Sequence, residues 1–433
     1  MAEGTRVLII ALALAGPIGC SRSEPEISRA SVERIVAVLS ADEMQGRRAF
    51  TPAADRAAEF IRAEFAAIGL DRFGDLSGYR QPFPVYAITV NRATVELNGR
   101  TVPSERFAIS VSSPALRWTD DDKVEIMVVG RDDDPMQALA VMRTPGTNTL
   151  VLMHRSHGRL FERVRAFTAG ASRTLDPTSG SNTVLILTDE TSASAFRIDV
   201  SASVEEEQLA NVVGIIPGAR RDEIVLFSAH YDHIGIRPPV DGDSIANGAN
   251  DNASGTTAVI ELARYFKALR KPGRTLVFVA FAAEEMGGYG SRYFASQLDL
   301  DQVVAMVNVE MIGKPAAAGP DVAWITGFDK SDLGEILRQA AAESGYTFTP
   351  DPYPDHNLFF RSDNATFARM GVPAHSISTT PIDVDEDYHR VSDELVTLDL
   401  DHMTTTVKAI ARAAVAIVSG ASTPTRIDPR DLE

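Results

Sequence analysis

Two glutamates, Glu284 and Glu285, stand side by side at the end of an apolar run, in FVAFAAEEMGGYGS (278–291). Neighbouring carboxylates repel, so such a pair gains a use where its two environments differ. Other apolar runs end in the same kinds of residue. EIVLFSAH (223–230) closes on His230 and continues into Tyr231-Asp232. VVAMVNVEMIG (303–313) presents Glu310, GANDNASG (248–255) sets Asp251 ahead of a helical pattern, and EDYHRVSDE (386–394) carries His389. A lone strand-end histidine is more often structural, and a lone acidic pair is more often a solvated turn. Together these groups repel one another unless a counter-charge sits among them. A divalent cation supplies it. Nitrogen and oxygen donors without sulfur suit zinc, with manganese or cobalt as less specific choices. Four acidic groups and two histidines exceed one ion's needs. Two ions roughly 3.5–4 Å apart, sharing one carboxylate, fit them better.

The elements that must position these residues follow from periodicity. Apolar runs at 223–230, 275–283, 303–313, 322–327 and 372–379 alternate with helical patterns. In the clearest helix, 256–269, Val259, Leu262, Ala263, Phe266 and Leu269 form one face, and Lys271-Pro272-Gly273 ends it. Strands that are apolar throughout and alternate with helices predict an α/β fold, a mixed, mostly parallel sheet between helices. Ligands of such sheets bind at the carboxyl ends of the strands, where the polar residues above stand.

The remaining chain divides by texture. In residues 1–20 Arg6 precedes an apolar run from Val7 to Ala15, with Gly19 before Cys20, the sole cysteine. This predicts an export signal and lipid attachment at Cys20, with a periplasmic or cell-surface location. Pro17 and Glu3 fit that pattern poorly. Residues 21–81 read as a tether and N-terminal helices, in which Ile61, Phe65 and Ile68 share a face. Residues 82–205 read as an accessory β-rich domain, 206–420 as the catalytic domain with a closing helix over 404–419, and 421–433 as a loose tail. A formal charge of −17 from 42 basic and 59 acidic residues argues against nucleic acid as a partner. One cysteine excludes both a disulfide framework and a cysteine metal site.

Taken in order, HYDHIG, GANDNASG, AAEEMGGYGS, NVEMIG and YHRVSDE resemble the motifs of the co-catalytic dizinc aminopeptidase family. That group of zinc exopeptidases also includes plasma glutamate carboxypeptidase, glutaminyl cyclases and the transferrin receptor ectodomain. The resemblance covers about 211–419, with LSADEMQGR and IGL upstream. It implies the zinc-exopeptidase (phosphorylase/hydrolase-like) fold. It also implies that His230 and Glu310 bind one zinc, Glu285 and His389 the other, and Asp251 both. Glu284 is then the general base, which explains the adjacent pair: one carboxylate spends its charge on a metal while its neighbour handles a proton. Asp232 is implied as the partner of the His230 imidazole, and Tyr388 as a donor to a developing oxyanion. Two positions depart from the family pattern. Glu310 stands where Asp is common, and Asn364 of Ser362-Asp363-Asn364 stands where His is common. His375 reads as structural, His154 and His157 as surface residues, and His233 and His356 as non-ligands. The expected activity is removal of N-terminal residues from peptides. A carboxypeptidase or dipeptidase, a one-zinc glutaminyl cyclase and a non-catalytic binding module are the alternatives; intact ligands and Glu284 weigh against the last two.

Overall fold

A computed structural model of the chain describes Met1 and residues 25–143, 146–178, 180–269 and 271–432. The expected leader and Cys20 lie outside the described residues. The central sheet runs, from one edge, through Thr347–Pro350, Val322–Ile325, Ala374–Ser378, Val303–Val309, Arg220–His230, Arg274–Phe281, Phe196–Ile216 and Arg80–Leu97. Ala374–Ser378, Val303–Val309, Arg220–His230 and Arg274–Phe281 are mutually parallel neighbours. Phe196–Ile216 joins the block antiparallel, and so does Val322–Ile325 on the other side.

Alternation along each strand divides the apolar residues between two cores. Val225, Phe227 and Ala229, with Leu276, Phe278 and Ala280, face a layer built from the helices Arg29–Leu39, Pro52–Ile68, Gly255–Leu269 and Leu400–Ser419. Ile224 and Leu226, with Val277, Val279 and Phe281, face the helices Tyr289–Ser296 and Asn364–Ala368. Both faces are covered, so these strands contain no polar alternation. The centre is therefore largely apolar, and buried polar side chains such as Ser228, Asn308 and Ser376 lie towards the carboxyl ends of the strands.

The accessory region differs from the β-rich expectation in two ways. Arg80–Leu97 and Phe196–Ile216 pair along nearly their whole length, so the strands of the central sheet run on into it. Beside them sits a second sheet, ordered Phe107–Ser110, Thr183–Leu187, Thr149–Met153, Glu125–Val129, with two helices, Met136–Arg143 and Gly158–Thr168. Leu150, Leu152, Val184 and Ile186 pack towards the long hairpin, while Val151, Met153 and Leu185 pack on those helices. The region is a small α/β layer. The tail also differs from expectation. Ile427 is buried in the second core, and the Arg426 guanidinium donates to the Val303 carbonyl at 2.9 Å. No helix among the described residues is long and apolar enough to cross a membrane.

Candidate active site

His230 is the last residue of its strand, Glu310 follows Val303–Val309 directly, and Glu284 and Glu285 lie just beyond Arg274–Phe281. Asp251 precedes Gly255–Leu269, and His389 sits on the loop between Ala374–Ser378 and Leu400–Ser419. All converge on one sheet edge. His230 Nε2 stands 3.2 Å from Glu310 Oε1 and 3.5 Å from Asp251 Oδ1. His389 Nε2 stands 3.2 Å from Asp251 Oδ2 and 3.1 Å from Glu285 Oε2. Asp251 thus offers one oxygen to each cluster. Two donors bound about 2.0–2.1 Å from one tetrahedral zinc lie ~3.3 Å apart. The observed spacings agree, and the donors are nitrogen and oxygen only, so the residues present fit the ion.

The loops that carry the ligands are tied to one another. Asp393 accepts the backbone N–H of Asn250 at 2.8 Å and that of Asp251 at 2.9 Å. The Asn252 side-chain amide donates to the Val309 carbonyl at 3.0 Å, and its oxygen accepts from the Met311 N–H at 3.1 Å. Asn250 Oδ1 accepts from the Gly313 N–H at 2.8 Å. The two asparagines of GANDNASG therefore fasten the Asp251 loop to the Glu310 loop. Gly248 is required in that loop: its φ is +58°, and a Cβ there would come within 2.5 Å of the His233 ring. Ala283, Met311 and His389 also hold positive φ, at 59°, 51° and 58°. Strained backbone beside converging polar groups is characteristic of functional sites.

Glu284 occupies a different environment from Glu285. Its backbone N–H donates to Asp232 Oδ1 at 3.0 Å, and its carboxylate comes no closer than 4.0 Å to His230 Nε2. Burial pushes the Glu284 carboxyl well above its ordinary range, opposed by His230. Burial also acts upward on Glu285, but hydrogen bonds from His233 and His389 outweigh it and hold that carboxyl below its ordinary range.

Asp232 differs in detail from expectation. The His230 Nδ1–H donates to the Asp232 backbone oxygen at 3.1 Å, while the Asp232 carboxylate lies 3.9 Å away. The backbone orients the imidazole, and the carboxylate holds the Glu284 amide. Tyr388 stacks on the His389 ring with centroids 4.0 Å apart, and its hydroxyl accepts from Arg361 at 3.1 Å. Asn364 is buried, donating to the Phe359 carbonyl and accepting from Ser376, so it braces the wall of the site without facing it. Ser362, two residues earlier, donates to Glu310 Oε2 at 2.7 Å. His375 lies buried between Thr326 and Ser331, as a structural residue would.

Three residues belong to the site although sequence reading left them out. His233 Nδ1 lies 2.9 Å from Glu285 Oε1, a hydrogen-bond separation, and 3.7 Å from Asp251 Oδ2. It steers the carboxylate whose other oxygen meets His389. Its place in HYDHIG, three residues after His230, was the available signal. Asp393, four residues after His389 in the quoted motif, carried a similar one. Arg47 carried none beyond its place in LSADEMQGR. It is fully buried and donates to the carbonyls of Leu39, Tyr231, Asn247 and Gly248. Burial lowers its pKa to about 10 against the opposing charges of Asp393 and Asp251.

Two concavities meet at Glu284. The smaller, of about 70 Å³, reaches from the ligand cluster to Met311, Trp324, Leu358 and Ile382. The larger, of about 770 Å³, runs from Glu284 between the helix Tyr289–Ser296 and the accessory region.

Residues 211–414 match the family description Peptidase family M28. Leucine aminopeptidase 1 of Trichophyton rubrum is 27% identical over 364 residues, covering 75% of this chain and 94% of that protein. A probable leucine aminopeptidase of Trichophyton verrucosum (strain HKI 0517) is 30% identical over 202 residues, 45% of this chain. The chain's match spans about half the length of that relative and of several others. Among solved structures, BSAP, a zinc aminopeptidase from Bacillus subtilis, aligns over 93% of this chain and 98% of its own at 18% identity and a TM-score of 0.57. The aminopeptidase from Aneurinibacillus sp. strain AM-1 covers 91% and 94% at 20% identity and a TM-score of 0.55. At those identities the likeness establishes the fold.

Proposed function

We propose, proceeding from a chain whose residues 211–414 belong to peptidase family M28, that it is a zinc aminopeptidase with two ions per chain. The observation that carries this is the pair of donor clusters sharing Asp251, one oxygen to each, beside a Glu284 that joins neither. His230, Glu310 and Asp251 would hold one ion; Glu285, His389 and Asp251 would hold the other. When bound, such ions supply Lewis acidity, acidifying water towards neutral pH and polarising a carbonyl.

The chain's own residues do the rest. Glu284 takes a proton from the attacking water and delivers it to the departing amine nitrogen. Asp232 fixes its backbone, and Asp393 fixes that of Asp251. The Tyr388 hydroxyl, set by Arg361, is a donor for the oxygen of the tetrahedral intermediate. Met311, Trp324, Leu358 and Ile382 form an apolar wall for one side chain. Arg361, the one guanidinium lining this pocket among the described residues, also lines the larger groove, so the apolar wall offers no cation of its own to a terminal carboxylate.

Zinc-loaded protein is expected to release nitroaniline from leucine para-nitroanilide and to lose this activity with a chelator. Release of C-terminal residues from amino-blocked peptides would support the carboxypeptidase alternative. The leader read in residues 1–20 supports export with a lipid anchor on Cys20. Fatty-acid labelling of wild type and not of Cys20→Ala checks this; an unlabelled wild type refutes it.

A further inference from the structure

The larger groove differs in charge from the rest of the chain. The protein carries 59 acidic residues against 42 basic ones, yet four arginines line this groove: Arg173, Arg292, Arg361 and Arg369. Its lining carboxylates are Glu284, at the catalytic end, and Asp363, buried beneath the floor. Arg173 is neutralised by Glu207, in a fork with contacts of 2.7 and 3.1 Å. Among the described residues no carboxylate forms an ion pair with the other three. Arg292 and Arg369 are exposed, and each lies against an aromatic ring. The Arg292 guanidinium carbon is 5.8 Å from the Tyr289 centroid, and that of Arg369 is 5.1 Å from the Phe360 centroid. A ring beside a guanidinium restricts its rotamers while leaving its N–H edge free for an anion. Arg361 sits where the two concavities join, held by the Tyr388 hydroxyl.

The geometry also sets a direction. Scission occurs at Glu284. If the small pocket takes the N-terminal residue, the rest of the peptide leaves along the groove, which is about ten times larger. The unpaired arginines then face the leaving-group side of the substrate.

We propose that Arg292 and Arg369 form a subsite for carboxylates on the leaving-group side, so that the preferred substrates are peptides whose third and later residues are acidic. This rests on the aminopeptidase reading. The charges are exposed, so the contribution is moderate and sensitive to salt.

The test compares kcat/KM for leucine para-nitroanilide, Leu-Ala-Asp-Asp and Leu-Ala-Lys-Lys. The enzymes are zinc-loaded wild type, R292S/R369S and R292K/R369K. The wild type is expected to favour the acidic peptide over the basic one by about tenfold at low ionic strength, and the ratio should fall towards one near ~0.5 M salt. R292S/R369S should lose the preference while cleaving the nitroanilide, which extends only one position past the scissile bond, at the wild-type rate. R292K/R369K should keep most of the preference. Equal rates for the two peptides, or a preference that survives R292S/R369S, overturns the subsite alone. Failure of the wild type to cleave leucine para-nitroanilide overturns the aminopeptidase reading and this subsite with it.

Discussion

Glu284 and Glu285 are neighbours with unequal surroundings, and the difference is measurable. Glu284→Gln should keep both ions and lose ~10²–10⁴-fold in kcat, the usual worth of a general base. Glu285→Gln removes charge from an oxygen 3.1 Å from His389 and disturbs the hydrogen bond to His233. It should lose one ion, read by atomic emission; identical behaviour of the two variants would dismiss the division of labour. Arg47 offers a test away from the chemistry. Arg47→Met leaves four buried carbonyls without their donor, at ~1–3 kcal/mol each before relaxation. Denaturant unfolding should show a loss of about 3 kcal/mol or more, with weaker zinc binding, because Tyr231, Asn247 and Gly248 flank the ligands. A variant as stable as wild type would show that those carbonyls find water instead. Much of the converging set was legible from residue types, since His230, Glu284, Glu285 and Glu310 stand at the ends of apolar runs and Asp251 just ahead of a helical pattern, while His389 lies on a loop and stood out only through its motif. Arg47 was not, because a cation that serves backbone carbonyls leaves no pattern of partners in the sequence.

At the scale of elements, the central strands could be read because burial on both faces leaves an uninterrupted apolar run. The helices Met136–Arg143 and Gly158–Thr168 could not. They are short, they lie between strands, and Phe161 and Val164 are the buried residues that mark the second. The docked tail escaped for a similar reason: Ile427 and Leu432 are isolated apolar residues whose partners are distant in sequence. The strand Ala374–Ser378 holds a titratable residue whose effect follows from its setting. Burial lowers the His375 pKa to about 4, although the Thr326 carbonyl acts against it. The folded chain keeps this imidazole neutral, while the unfolded chain protonates it near ~6.5. Its contribution is therefore complete above ~6.5 and is lost as pH falls towards 4, by ~3 kcal/mol in all. Unfolding midpoints at about pH 7 and about pH 4.5 should differ less in His375→Gln than in wild type; equal pH sensitivity would mean that His375 is not the group responsible.

For the whole molecule, helices cover both faces of a mostly parallel sheet, and its edge gathers carboxylates against His230, His233 and His389. The accessory layer, continuous with the sheet through Arg80–Leu97 and Phe196–Ile216, walls the groove along which a peptide would leave. The central claim is that this edge holds two zinc ions bridged by Asp251, and the metal content of the saturated protein tests it most directly. Apo-protein titrated with zinc, freed of excess by gel filtration and counted by atomic emission, should retain two equivalents per chain, and Asp251→Asn should retain fewer. A wild type that saturates at one equivalent would contradict the account.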